Sequence, residues 1–158
     1  MNANTTTIYL ALGSNVGDLY LNLQTSIIKL QKIANLDDIS KFYLTKPWGM
    51  TEQDDFLNAA VKMHTFLDPQ KLLKGIKKIE REMGRVHIER WGPRIIDIDI
   101  IMYGNLIWES PNLTIPHKYM HQREFVLKPL MDIASDVLHP IYNLSIADLY
   151  KNLKVKEL

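Results

Sequence analysis

Two hydrophobic rhythms alternate along most of the chain. Residues 6–12 form a short apolar stretch ending at Gly13-Ser14-Asn15, which predicts a first strand. From residue 18 to 34 the period lengthens, and Leu19, Leu23, Ile27 and Leu30 fall on one helical face behind Asp18 as cap. Residues 39–44 predict a second strand and 56–66 a third. The segment between them, with Pro47, Gly49 and several polar residues, is too long for a tight hairpin. A second helix is predicted over 69–83, with Asp68 as cap, Pro69 in the first turn, a stripe of Leu72, Leu73, Ile76, Ile79 and Met83, and Gly84 as the stop. A strand over 95–103 follows. Then come an extended piece at 106–108, a turn at Pro116-His117, a helix over 125–134 and a last helical turn or two over 146–153.

The order strand, helix, strand, strand, helix, strand predicts an α+β class, a ferredoxin-like βαββαβ sandwich with extra C-terminal helices. It implies an antiparallel sheet with two helices on one face and an open opposite face or edge for function. A single domain over residues 1–158 fits the length.

The pattern breaks in the strand over 95–103. Ile95-Ile96-Asp97-Ile98-Asp99-Ile100-Ile101 is isoleucine apart from two acids. Strand alternation points both acids the same way, with Cα atoms about 6.6 Å apart. Buried unpaired carboxylates cost several kcal/mol or take up a proton, whereas a shared divalent cation, magnesium above all, makes the pair tolerable. The bland alternative is a solvated strand face salt-bridged to arginine. Arg90-Trp91-Gly92-Pro93-Arg94 leads directly into the strand, and Arg85 lies in the preceding loop. Arginine matches phosphate oxygens with planar, bidentate donors. Metal, acids and arginines together suit transfer of a phosphorus group.

Charge adds to this through its distribution, because the net charge is only +1. Residues 71–94 carry eight basic and three acidic side chains, so cations lead into the diacid strand. The chain has no cysteine, which excludes disulfides and thiolate metal sites and fits a reducing cytoplasm. Its start lacks the features of a signal peptide, and no apolar run approaches 18 residues, so no membrane partner is expected.

Other candidates stand at lower specificity. Gly13-Ser14-Asn15-Val16-Gly17 lacks the lysine of a Walker loop; it reads as a tight turn or as an anion cradle. Glu80, on the flank of the second helix's stripe, pairs with Lys77 or Arg81, or accepts from a ribose. In the third strand Phe56, Asn58 and Ala60 share one face, and an aromatic beside an amide suits stacking on a flat heterocycle and reading its edge. Trp48 and Trp91 lie in long loops suited to closing over a ligand. His117 is either a turn histidine or a phosphate donor. Arg123 and Phe125 pair a cation with an aromatic.

Together these residues resemble the 6-hydroxymethyl-7,8-dihydropterin pyrophosphokinase family of folate biosynthesis. The stretch from Arg90 to Ile101 matches that family's signature, and the likeness extends through residues 11–18, 56–61 and 80–85 and Pro116-His117. The resemblance implies transfer of the pyrophosphoryl group of ATP to the hydroxymethyl oxygen of the reduced pterin, with release of AMP. It implies Asp97 and Asp99 as ligands of two Mg2+ ions, one bridging the α- and β-phosphates and one the β- and γ-phosphates. Arg85 and Arg94 would be the catalytic cations alongside the two aspartates. ATP would meet Glu80, Arg85, Arg90, Trp91, Arg94, Ile100, His117 and Arg123. The pterin would meet Thr45, Lys46, Trp48, Phe56, Asn58, Asp97 and Phe125. Loops over 47–55 and 84–91 would close on ATP and exclude water. The implied partners are small molecules, with no nucleic acid, for a monomer or weak homodimer. His87 stands where the family commonly has arginine, and Lys77 and Lys118 where its residues are often uncharged.

Two other functions share parts of this pattern. A magnesium-dependent phosphohydrolase would use the same acids with water as acceptor, but it has no use for the Phe56-x-Asn58 face or for lids. An RNA-binding module of this fold needs aromatics on its central strands, where this chain has isoleucines and acids.

Overall fold

The computed structural model describes residues 4–45, 55–84 and 95–156. Strand β1 (Thr6–Ser14) lies inside the sheet because its alternation buries Ile8, Leu10 and Leu12 on one side and Tyr9 on the other. It pairs antiparallel with β4 (Phe56–Thr65) on one flank and β5 (Asp97–Tyr103) on the other. Two short strands, β2 (Asn35–Ile39) and β3 (Tyr43–Thr45), both pair with β4. The lateral order β2-β4-β1-β5, with β3 also on β4, is the ferredoxin-like order that the alternation of elements predicts.

Helices α1 (Leu19–Leu30) and α2 (Pro69–Glu82) cover one face. Their caps are those predicted: Asp18 accepts from the amide of Leu21 at 3.1 Å, and Asp68 from that of Lys71 at 2.9 Å. Leu23, Ile27, Leu30, Leu72, Ile76 and Ile79 meet Ile8, Leu10, Leu12, Val61, Met63, Ile98 and Ile100 in the main core.

Three features differ from expectation. The single strand predicted over 39–44 is two strands with a break between them. At the break Ser40 exchanges bonds with Ala60, its amide donating to the carbonyl at 2.9 Å and its hydroxyl accepting from the amide at 2.8 Å. The next amide, Lys41, turns away to Asp132 at 3.0 Å. Asp37 and Asp38, poor strand formers, conceal β2. A two-stranded hairpin of β6 (Trp108–Ser110) and β7 (Leu113–Ile115) stands where only a short extended piece was predicted.

The third difference is on the side expected to offer an open face or edge: β5 stays at the edge of the sheet, while the face is largely covered. A 3-10 turn at Met120–Gln122, α3 (Glu124–Ala134) and α4 (Ile146–Lys156) pack there. Met120, Val126, Leu127, Leu130, Ile146 and Leu149 close a second core over Tyr9, Ala60, Ile101 and Met102. An apolar stripe of this kind must be buried, and the sheet offers the surface. Ala60 belongs to this second core and Ala11 packs against it; Gly13, one rung further along β1, does not. Among the described residues no helix is long and apolar enough to cross a membrane.

Candidate active site

Register builds the site. Gly13 of β1 pairs with Asn58 of β4 on one side and Asp97 of β5 on the other. Partners directly opposite in an antiparallel pair point to the same face. Asn58, Gly13 and Asp97 therefore form one row across three strands, and Ala60, Ala11 and Asp99 form the next. The intervening Ala59, Leu12 and Ile98 face the α1/α2 side. Beyond Ile100 the register with β1 shifts, so Ile101 and Met102 both serve the second core.

The acids are crowded. Burial, then Asp97, then Glu80 push the Asp99 carboxyl up to about 7, against the pull of Arg123 and Lys77. Arg123, just ahead of α3, brings a countercharge. Burial weakens its hold on its proton, while Asp99 and Asp97 strengthen it. Its guanidinium lies 5.5 Å from the Tyr119 ring centre and 5.6 Å from that of Phe125. His117 sits against the same group. Burial, helped by Arg123, pushes its imidazole down to about 4, so it is neutral at pH 7. Its Nδ1 accepts from the Tyr119 amide at 3.2 Å, which leaves Nε2–H as the free donor. His117 is tied to the diacid strand as well, its amide donating to the Ile101 carbonyl at 2.9 Å.

Across Gly13 the side chains change from acids to an amide. Asn58 is buried; its Nδ2 donates to the Thr45 hydroxyl and, at 3.4 Å, to the carbonyl of Phe56. A backbone carbonyl only accepts, so the amide nitrogen is fixed on that side and Oδ1 is left on the Gly13 side. Thr45 pairs with Phe56 in the β3–β4 ladder. Strand β3 is held from above by Asp132 of α3, which accepts from the Tyr43 hydroxyl at 2.9 Å and 3.1 Å. One helix thus carries Phe125 near its start and braces β3 from further along.

The donor set fits a hard divalent cation. Two aspartates on one face offer only oxygen, and among the described residues no group of three or more His, Asp or Glu could hold a metal. Magnesium is commonly bound this way, through one or two carboxylates with water and substrate phosphates completing the shell. A resident zinc ion would need more protein ligands.

Two expected nucleotide contacts, Glu80 and Ile100, have buried side chains. Glu80 is only 1% exposed. One oxygen accepts from the amide of Ile98 at 2.9 Å and the other lies 3.3 Å from Lys77. The Lys77 pairing read from the sequence is present, but the carboxylate is turned in against β5 rather than out toward a ribose. It anchors α2 to the residue between the two aspartates. Ile100 faces the α1/α2 core, so what it offers a ligand is main chain on an edge strand. Lys46, Trp48, Arg85, His87, Arg90, Trp91 and Arg94 lie outside the described residues, as do most of the two loops expected to close.

The segment over 13–17 resolves toward the turn reading. Gly13 and Ser14 complete β1, and the turn falls at Gly17, whose φ is +81°. Asn22 of α1 clamps it, donating to the Ser14 hydroxyl at 3.0 Å and the Val16 carbonyl at 2.8 Å. Sequence reasoning missed the place of Gly13 between Asn58 and Asp97, and missed Tyr119. A glycine interrupting an apolar strand was the available signal for the first.

Residues 9–135 match the family model described as 7,8-dihydro-6-hydroxymethylpterin-pyrophosphokinase. The 2-amino-4-hydroxy-6-hydroxymethyldihydropteridine pyrophosphokinase of Aquifex aeolicus is 44% identical over 136 residues, 86% of this chain and 85% of that protein. Its Haemophilus influenzae counterpart is 46% identical over 136 residues, 85% of each chain. A folic acid synthesis protein of Dictyostelium discoideum is 45% identical over 152 residues, but there the match covers 96% of this chain and only 23% of the relative. The crystal structure of Plasmodium falciparum HPPK-DHPS superposes with a TM-score of 0.78 at 20% identity, covering 97% of this chain and 46% of that one, a likeness of fold. The chain belongs to the 7,8-dihydro-6-hydroxymethylpterin-pyrophosphokinase family, the ATP-dependent pyrophosphokinases of folate synthesis.

Proposed function

We propose that this chain, as a single domain acting on small molecules in the cytoplasm, transfers the pyrophosphoryl group of ATP to the hydroxymethyl oxygen of 6-hydroxymethyl-7,8-dihydropterin. The observation that carries the reading is the row Asn58–Gly13–Asp97, in which a ring-reading amide and a metal-binding acid flank one glycine. With adjacent strands about 4.8 Å apart, the two side chains stand about 10 Å apart across that row, a fit for a bicyclic ring with its hydroxymethyl arm.

The residues divide the work. Asn58 accepts from the donor-bearing edge of the pyrimidinone, while Phe56 and Phe125 hold the ring faces. Asp97 and Asp99 would hold magnesium, as two ions. When bound, the metal neutralises phosphate charge and lowers the pKa of a coordinated hydroxyl. Arg123 pairs with the phosphates as a cation, and His117 donates from Nε2–H as a neutral group. Arg85 and Arg94 are assigned the charge that develops as the bond to the α,β-bridging oxygen breaks. Glu80 positions the strand between the aspartates.

The experiment is to mix protein, magnesium, ATP and the hydroxymethyl pterin and identify the nucleotide product. AMP formed only when the pterin alcohol is present is the expected result. ADP, or AMP formed equally well without the pterin, contradicts the reading; the second outcome is that of a hydrolase.

A further inference from the structure

Gly13 is a buried glycine inside a regular strand. Its backbone has no left-handed torsion, unlike Gly17, Gly84 and Gly104. Conformation therefore does not demand glycine here, and glycine weakens a strand relative to alanine. Space does demand it. A Cβ at Gly13 would lie 3.0 Å from Asn58 Oδ1 and 3.5 Å from Phe56 Cδ1. Asn58 has little freedom to withdraw, because its nitrogen is bonded to Thr45 and to the Phe56 carbonyl and Thr45 is itself in the β3–β4 ladder.

We infer that Gly13 is a positioning residue that sets substrate specificity: its missing side chain lets the Asn58 carbonyl oxygen lie over β1, one row-mate away from Asp97. Building on the pterin reading above, this fixes the distance between the group that reads the ring edge and the acids that hold the phosphates. A methyl at position 13 pushes Oδ1 out of line with the ring's N–H donors. A site built to hydrogen-bond a substrate N–H discriminates strongly through that one acceptor, so the cost falls on the pterin and not on ATP.

The test compares Gly13→Ala, Asn58→Ala and the double variant, measuring KM for each substrate, kcat, melting temperature and the affinity for a non-hydrolysable ATP analogue with magnesium. The wild-type protein is assayed first. If it makes no pterin-dependent AMP, the functional reading fails, and the inference about Gly13 fails with it. Given that activity, Gly13→Ala raises the pterin KM roughly tenfold or more and leaves the KM for ATP and the analogue's affinity unchanged. In the Asn58→Ala background the same substitution has little further effect, because the group it displaces is gone. An unchanged pterin KM, a parallel loss for both substrates, or a full effect in the Asn58→Ala background overturns the inference. Should Gly13→Ala fail to fold, the double variant decides: recovery of folding supports the Asn58 contact, and failure to recover contradicts it.

Discussion

Strands β1, β4 and β5 present two faces that obey different rules. Toward α1 and α2 they offer Leu10, Leu12, Val61, Ile98 and Ile100, all buried and all apolar. Toward the other side, at the Gly13 end, the same strands offer Gly13, Asn58, Asp97 and Asp99. The first face is what a stable sandwich requires. The second leaves two carboxylates side by side, buries an amide and spends a strand position on glycine. Each of these lowers stability, and a ligand that brought cations and a flat polar ring would turn each into binding energy.

Substitutions on the two faces should separate the two rules. Asp99→Ala should fold normally, with a melting temperature without magnesium equal to or above that of wild type, because one charge leaves a crowded pair. Its turnover should fall about a hundred- to a thousandfold. A clear drop in melting temperature in metal-free buffer would make Asp99 part of the scaffold. On the opposite face Leu10→Ala should cost about 2–5 kcal/mol in chemical denaturation, while the folded fraction keeps its specific activity. A folded Leu10→Ala variant without activity would mean that the faces are not separable.

Glu80 joins the two sides. Glu80→Ala removes the acceptor of the Ile98 amide and should cost about 1–3 kcal/mol. Glu80→Gln, which keeps an acceptor, should cost less. Equal losses in urea titrations would rule out the Ile98 bond as the reason for its burial.

The smallest effect is in pH. Asp99, raised to about 7 in the fold, binds its proton more tightly than the unfolded chain does. Its contribution to the stability of the metal-free protein therefore falls as pH rises from about 4 to about 7. His117, lowered to about 4, works in the other sense, because the unfolded chain takes up the proton first. Its contribution rises with pH between about 4 and the ordinary histidine value of 6.5. Asp99→Asn should remove the downward slope and His117→Gln the upward one, read from melting temperatures across pH. A wild-type slope that neither variant changes would show that other groups set the pH response.

The elements that periodicity made legible are those with a single burial requirement. Both main helices and their caps Asp18 and Asp68 could be read because one stripe meets one core. The edge strand β2 could not, since an exposed, acidic strand carries no alternation signal. Coverage of the second face was missed because the stripe in α3 does not say which surface receives it. Within the site, Asp97, Asp99, Asn58 and Phe56 stood out as exceptions to their local pattern, and the register brings them to one face. Gly13 was hidden because its meaning lies in its two partners across the sheet. The inward turn of Glu80 was not legible, because nothing in the sequence says that the Ile98 amide needs an acceptor.

Calorimetric titration of a non-hydrolysable ATP analogue into wild type and Asp99→Ala, each with and without magnesium, tests the central claim most directly. The aspartate pair as metal site predicts nucleotide binding by the wild type that depends on magnesium and is lost in the variant. Equal binding in all four titrations, or none in a well-folded wild type with magnesium present, would contradict it.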